Sequence, residues 1–428
     1  MQISSKRSDK KLAIHGGEKA VSIPHPHFIW PPKSNTLEKK DLGEQRDKDI
    51  SIKGSSGPIR ELENEFKNFL ENKIKYAITF NSGTSALLAA YFALGVDEGD
   101  EVISPAFTYH ATVSPVFILR ANPVLVDVDV NTWCIDPNKI EEKITKKTKV
   151  IVVNHQWGHP ADMEEILKIT RKYKLKLLED CSHAHGSKYK ERMVGAFGDI
   201  AVFSLQANKM MFAGEGGILV TNSTEYHDRA TLFGHYRDRA RDEIKNKFYQ
   251  QFWFTGYGLK LRMSPYNAIT AIYSLEKLKD RIASRKMCLT YFSKKLSQFT
   301  EITVPYIADY ANMGAWYGFK PLYNSKSFHN ISREKYIKAL AAEGVEVKEP
   351  QSDALSRLPL YTIEEDKMFR DRSHKYVFKS GDYPVAEKLA SSALSLPTFT
   401  EWPKSKEIID QYIQAFHKVH DGYRELLQ

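Results

Sequence analysis

Between Tyr76 and Thr221 short apolar runs alternate with stretches of helical periodicity, and few architectures tolerate that order. Strands are expected at Tyr76–Phe80, Glu101–Ile103, Pro123–Val130, Lys149–Asn154, Lys176–Glu179, Ile200–Leu205 and Gly217–Thr221. Helices are expected between them at Ser85–Leu94, Lys139–Thr145 and Met163–Tyr173, the first closed by Gly95 in a left-handed cap. Strand and helix taking turns over short connections implies crossover units, so the fold class is α/β, a mainly parallel sheet with helices on both faces.

The flanks differ from this body. Pro24, Pro26, Pro31 and Pro32 break up the beginning, and Ser34 to Lys53 is polar and charged, so residues 1–56 are expected to form an irregular arm. Ile59, Leu62, Phe66, Phe69 and Leu70 recur at helical spacing and open a large α/β domain over 57–285. A longer helix is expected around Met263–Leu278, with further helices at Arg333–Glu343 and Ser405–Leu426 in a smaller C-terminal domain over 286–428.

Composition excludes several classes. With 42% hydrophobic and 27% charged residues in 428, the chain has enough apolar side chains for a substantial core, and nothing in that balance suggests disorder. The longest nearly unbroken apolar stretch, Ala86 to Val96, is too short to span a bilayer, and the first residues lack the apolar run of a secretory signal. Cys134, Cys181 and Cys288 are widely spaced with no C-x-x-C pair, which fits a reducing cytoplasm better than a disulfide framework or zinc knuckle. The net charge of +9 is spread along the chain with small clusters at Lys6–Lys11 and Lys143–Lys149. No aromatic interleaving makes these a nucleic-acid track, so a solvated basic surface is expected.

In such a sheet, ligands collect beyond the carboxyl ends of the strands. Asn81-Ser82-Gly83-Thr84-Ser85 leads from a strand directly into a helix, where free amides and hydroxyls suit a phosphate group or serve only as an ordinary N-cap. Tyr109 follows the next strand closely enough to lie across a flat ligand, although an aromatic there commonly fills core. Glu179-Asp180-Cys181-Ser182-His183-Ala184-His185 ends an apolar strand in charges that are costly to bury without partners. Asp180, His183 and His185 admit a metal, at no recognised zinc spacing, a satisfied structural network, or a cationic heterocycle paired with Asp180. The strand ending at Phe203-Ser204 then delivers Lys209 into apolar company with Met210, Met211 and Phe212, ahead of the glycine-rich Gly214–Gly217. Desolvation favours the neutral amine that attacks a carbonyl. A phosphate loop, an aromatic platform, a carboxylate and a lysine together describe pyridoxal 5'-phosphate held covalently on Lys209. The Ser82–Ser85 helix start and Ser204 would hold its phosphate, Tyr109 would stack on its ring, and Asp180 would keep its nitrogen protonated. No metal is expected.

Several motifs in order then carry a resemblance: NSGTSAL at Asn81, GDEVISPAFTYHAT at Gly99, PVLVDVD at Pro123, GHPADM at Gly158, EDCSHAHG at Glu179, FGDIAVFSL at Phe197 and GEGG at Gly214. From about residue 57 onward the chain resembles the sugar aminotransferases typified by DegT, DnrJ and StrS, of the aspartate-aminotransferase fold type I. LAIHGGEKAV at Leu12 is similar to the branch containing aminohydroxybenzoate synthase and scyllo-inosose aminotransferase. The resemblance implies Lys209 and Asp180 as catalytic, Tyr109 as the stacking aromatic, and His183 near the cofactor's phenolic oxygen. It also implies phosphate contacts from Gly83, Thr84 and Ser204, and a homodimer whose second subunit completes each site. Where members often carry Asn in Gly-x-Asn-x-Arg-Met, this chain has Lys260 in Gly258-Leu259-Lys260-Leu261-Arg262-Met263, which puts that inter-subunit contact in question while leaving Lys260 able to reach the phosphate as a point charge.

The implied activity moves an amino group from glutamate or glutamine to a keto-sugar or keto-cyclitol, in amino-sugar, aminocyclitol or related secondary-metabolite biosynthesis, antibiotics included. Members acting as dehydratases carry His in place of the lysine, and a desulfurase-type lyase needs a mobile cysteine that Cys181, directly after Asp180, does not supply. A regulatory homologue that binds the cofactor without turnover is the remaining alternative. The segments Ser34–Lys53, Arg237–Trp253 and Met313–Tyr317 are candidates for shaping the substrate pocket.

Overall fold

The computed structural model describes residues 11–362 and 377–428; all of the Lys6–Lys11 cluster except Lys11 lies outside them. The strands are β1 (Tyr76–Phe80), β2 (Glu101–Pro105), β3 (Asn122–Val126), β4 (Thr148–Asn154), β5 (Lys176–Asp180), a small ribbon of β6 (Lys188–Tyr189) and β7 (Arg192–Met193), then β8 (Ile200–Ser204) and β9 (Gly217–Thr221). The main sheet has the order β1-β9-β8-β5-β4-β2-β3. Pairing is parallel from β8 through β5, β4 and β2 to β3, while β9 runs antiparallel to both β8 and β1. Six carboxyl ends and the start of β9 therefore share one edge, with Gly217 in register with Phe80 on one side and Ser204 on the other.

Burial on both faces accounts for the apolar strands. Val150, Ile151, Val152 and Val153 of β4 are fully buried, as a parallel strand covered by helices on each side requires. The Met163–Tyr173 helix is amphipathic: it buries Ile166 and Ile169, has Glu164 and Glu165 in its first turn and Arg171 and Lys172 in its last, and ends on left-handed Lys174. The Gly83–Ala93 helix is apolar nearly all round because it lies between the sheet and the Thr224–Gly234 helix.

Four expectations are corrected. Ser34–Lys53 is not irregular throughout, since Thr36–Arg46 is helical, capped by the Asn35 side chain, which accepts from the Glu38 amide at 2.8 Å. Its polar composition concealed it because it packs through polar side chains: Glu38 and Gln45 are buried, and Tyr273 donates to Asp41 at 2.6 Å. Lys139–Thr145 is two 3-10 turns, Pro137–Lys139 and Glu141–Lys143, too short a stretch to repay helix nucleation. The Pro123 strand ends at Val126 because the Asp127 carboxylate leaves the sheet to accept from the amides of Val385 and Ala386, at 3.1 and 2.9 Å. The helix expected at Met263–Leu278 is Pro265–Glu276, followed after Lys277 by a second, Leu278–Leu296.

A separate apolar cluster in the C-terminal part gathers Leu289, Phe292, Phe319, Tyr336, Leu340, Tyr412 and Phe416. Leu12 and Val21 from the beginning of the chain belong to it. The buried Glu343 carboxylate fixes that segment, accepting from the amides of Ala13 and Ala20 at 2.8 and 3.0 Å and from Lys418 at 2.8 Å.

Glu63 performs a similar task in the body. From the Gly57–Phe69 helix it accepts from the Thr79 amide at 2.9 Å and hydroxyl at 3.0 Å, and from both terminal nitrogens of buried Arg239 at 2.7 and 3.1 Å. Arg239→Met would leave that carboxylate buried without its counter-charge, so a loss of about 3–5 kcal/mol is expected, measured as a lower urea midpoint at unchanged slope.

Candidate active site

The sheet's carboxyl edge opens into a cavity of about 820 Å³. At one end β1 turns into the Gly83–Ala93 helix, where the Ser82 hydroxyl accepts from the Ser85 amide at 3.0 Å. A Cβ on Gly83 would lie 2.7 Å from the Ser204 Cβ, and one on Gly217 would lie 2.5 Å from the Ser82 carbonyl oxygen. The helix start, the end of β8 and the start of β9 are thus in contact, and only glycine allows the approach. First-turn amides lacking intrahelical acceptors, with the Ser82, Thr84 and Ser204 hydroxyls around them, form an anion cradle. Gly83→Ala should force the helix start and the end of β8 apart: a retained anionic cofactor is expected to bind about tenfold or more weakly, read by equilibrium dialysis, with the melting temperature lowered by a few degrees.

Asp180, at the end of β5, is only 7% exposed. Its carboxylate accepts from the Thr112 hydroxyl at 2.7 Å and from the Ser182 amide at 3.0 Å. Both bonds fix the acid against the cavity that it lines. Glu179, one residue earlier, points to the opposite face, where His155 and the amides of Gly195, Phe197 and Gly198 hold it at 2.6–3.1 Å. Adjacent strand residues face opposite ways, which separates a carboxylate of the cavity from one of the framework.

Lys209 is 8% exposed, and its amine is lowered to about 8 by burial, with the charge of Asp180 opposing the shift. Its Nζ lies 4.0 Å from the centroid of the Tyr317 ring. The loop that carries it is tied down where Ala207 donates to the Gly214 carbonyl at 2.8 Å and accepts from the Trp30 indole at 3.0 Å. Trp30 is in turn flanked by the guanidinium groups of Arg281 and Arg285, at 5.7 and 5.2 Å from its ring. His183 stacks on Tyr317 at 4.2 Å and on Trp157 at 5.4 Å, and burial beside Lys209 and Lys320 holds it well below the usual imidazole range, hence neutral. Tyr109 lines the cavity with 53% of its surface exposed, against His110 at 4.6 Å.

Ser82, Gly83, Thr84, Tyr109, Asp180, His183, Ser204 and Lys209 all line this one cavity. Lys260 does not: it is exposed, paired through its backbone with His235. His185 is fully buried against Phe203, lowered to about 3 by burial, and outside the cavity lining. Of the three candidate pocket segments, Met313–Tyr317 contributes Tyr317, whereas Ser34–Lys53 and Arg237–Trp253 do not reach the cavity of their own chain.

Sequence reasoning missed Thr112, Trp157, Phe28, Lys320, Lys348 and Ser395, all cavity residues. Trp157 was within reach of the strand-end rule, since it follows β4, and Thr112 lies inside a quoted motif. The others come from distant segments with no local signature.

Comparison with known proteins bears on these geometries. Residues 36–413 match the model of the DegT/DnrJ/EryC1/StrS aminotransferase family. The chain is 32% identical over 374 residues to GDP-perosamine synthase of Escherichia coli O157:H7, covering 87% of this chain and 93% of the relative. It is 30% identical over 431 residues to L-glutamine:scyllo-inosose aminotransferase of Streptomyces griseus, covering 98% and 99%. The solved aminotransferase from Psychrobacter cryohalolentis superposes with a TM-score of 0.79 at 26% identity, over 94% of this chain and 100% of that one.

Proposed function

The chain belongs to the DegT/DnrJ/EryC1/StrS aminotransferase family, and from that premise we propose that it transfers an amino group from glutamate or glutamine to a ketone on a sugar or cyclitol. Its cofactor is pyridoxal 5'-phosphate, assigned to the cavity at the sheet's carboxyl edge. The observation that carries the assignment is the convergence of a desolvated lysine, a fixed carboxylate and a glycine-floored anion cradle on one cavity.

Bound there, the cofactor supplies an aldehyde carbon that exchanges amino groups and a pyridinium ring that takes up electrons when a substrate carbon loses its proton. The chain's residues do the rest. Gly83 and Thr84, with the Ser82 and Ser204 hydroxyls, bind the phosphate at a helix start. Asp180 would keep the proton on the ring nitrogen, and burial would make that pairing effective: a unit charge pair at 4 Å is worth about 1 kcal/mol in water but about 4 at an effective dielectric of 20. Thr112 and Ser182 hold the acid in orientation. Tyr109 would cover one face of the ring, and neutral His183 would hold its phenolic oxygen. The Lys209 Nζ, lowered toward neutrality, would move the proton at the substrate's reacting carbon, acting as base and then acid.

Cys181 is fully buried behind β5 and its thiol is pushed far up by burial, which disfavours desulfuration. Exposed Phe248, Phe252, Phe254 and Tyr257 lie next to Lys260 in sequence. They support a homodimer in which a second copy covers this apolar surface and lends Lys260 to the phosphate of the first. The described residues contain no helix long and apolar enough to cross a membrane, and the three cysteines are free and buried, in keeping with a cytoplasmic enzyme. The test is a panel of keto-sugars and keto-cyclitols with each donor: an aminated product formed over many turnovers is expected, and failure of both donors with every ketone would refute the assignment.

A further inference from the structure

One wall of the cavity is assembled from three segments far apart in sequence. Isolated bridges join Phe319 to Leu396, Leu322 to Ala393, and Lys348 to Ser395, so the 393–396 segment lies between the other two. Ser395 donates its amide to the Lys348 carbonyl at 2.8 Å, and Leu394 donates to that of Pro321 at 2.9 Å. The arrangement brings Lys320, Lys348 and Ser395 together in the cavity lining. The Lys320 Nζ donates to the Ser395 hydroxyl and lies 5.0 Å from the Trp157 ring centroid.

Neither lysine has a carboxylate within ion-pair range among the described residues, whereas other cations with little exposure, such as Arg239 and Lys418, do. Asp353, in the same wall, is occupied by the Ala354 amide at 2.7 Å and by Arg357. Burial together with the charge of Lys348 lowers Lys320 to about 8. Lys320 is half-buried and Lys348 exposed in the lining of the same cavity, and their like charges oppose each other until an anion joins them. The cofactor's phosphate does not fill that role, because its cradle is elsewhere. Trp157 follows β4, and β4 is two places from β8 in the sheet, a separation of roughly 10 Å along the edge with Asp180 between.

We propose that Lys320 and Lys348, with the Ser395 hydroxyl, form a second anion subsite at the substrate end of the cavity, taking a carboxylate or phosphate group carried by one of the two substrates. The proposal rests on the aminotransferase reading, and the anion belongs either to the α-amino acid donor or to a phosphorylated acceptor. Lys320 is a binding residue that fixes which end of a substrate points toward Trp157 and which toward Lys209.

The experiment titrates the cofactor-loaded enzyme with glutarate and, separately, with inorganic pyrophosphate, by calorimetry. Binding of at least one probe is expected in the wild type, weakened about tenfold or more in Lys320→Gln and in Lys348→Gln, and kept within about threefold in Lys320→Arg, because a charged hydrogen bond is lost in the first two and retained in the third. Half-reactions run separately identify the source: a raised KM confined to the donor step assigns the carboxylate, and one confined to the ketone step assigns the phosphate. Wild-type-like binding of both probes by Lys320→Gln and Lys348→Gln, or no binding of either probe by the wild type, overturns the subsite. Weakened binding in the variants of a wild type that transfers no amine would leave the subsite standing and remove the transaminase reading instead.

Discussion

Lys209→Ala is expected to lose turnover completely within the limits of assay while keeping the wild-type melting temperature within a few degrees. The side chain makes no ion pair among the described residues and touches the cavity, so its removal relieves a desolvated amine rather than breaking the framework. The loop itself remains pinned by Met210 and Met211, both fully buried, and by the Trp30 indole. On the proposed function the substitution removes both the covalent tether and the group that moves the proton, so the effect on rate should exceed the roughly 10²–10⁴-fold of a proton-transfer group alone. A variant that unfolds, or one that retains measurable transfer, would contradict this division between site and scaffold.

The same lysine gives a pH signature in the wild type. Its amine is lowered to about 8, so it is protonated below that pH and neutral above it. The rate at which stripped enzyme reloads cofactor should rise about tenfold from pH 7 to 9 and level off, whereas an ordinary lysine would rise about a hundredfold over that interval without levelling. Stopped-flow absorbance on apoenzyme separates the two curves.

Asp180→Asn should bind cofactor and turn over slowly, by at least about a hundredfold, the scale on which a lost electrostatic partner of developing charge is felt. Asparagine can still accept from the Ser182 amide, and its own amide nitrogen can donate to the Thr112 hydroxyl, which turns toward Thr108, so the local network survives with one bond reversed. What disappears is the negative charge that, on the proposed function, would hold the ring nitrogen protonated. Exchange of the donor's α-hydrogen with solvent deuterium should fall in parallel with turnover, which a merely displaced cofactor would not require. Near-wild-type exchange would show that the carboxylate is structural.

The strands were readable because burial on both faces leaves continuous apolar runs such as Val150–Val153, and turns such as Gly95 mark their neighbours. Asp180, Ser204 and the Ser82–Gly83 turn follow from strand ends alone, since sheet topology carries those ends to one edge. The Thr36–Arg46 helix was hidden because Glu38, Gln45 and Asp41 anchor it through polar groups that give no apolar stripe. The Lys320–Lys348–Ser395 wall had no local signal at all: its residues meet through backbone bridges and a Lys320–Ser395 hydrogen bond between segments separated by dozens of positions. Trp30 and Phe28, placed in an arm read as irregular, reach the Lys209 loop and the cavity because the first residues pack into the C-terminal cluster.

Borohydride reduction of the purified enzyme followed by peptide mass mapping tests the central claim most directly. A pyridoxyl group on the peptide containing Lys209, and on that peptide alone, is the predicted result. The tag on Lys320 or any other lysine, or no tag after saturation with the aldehyde, would contradict the account.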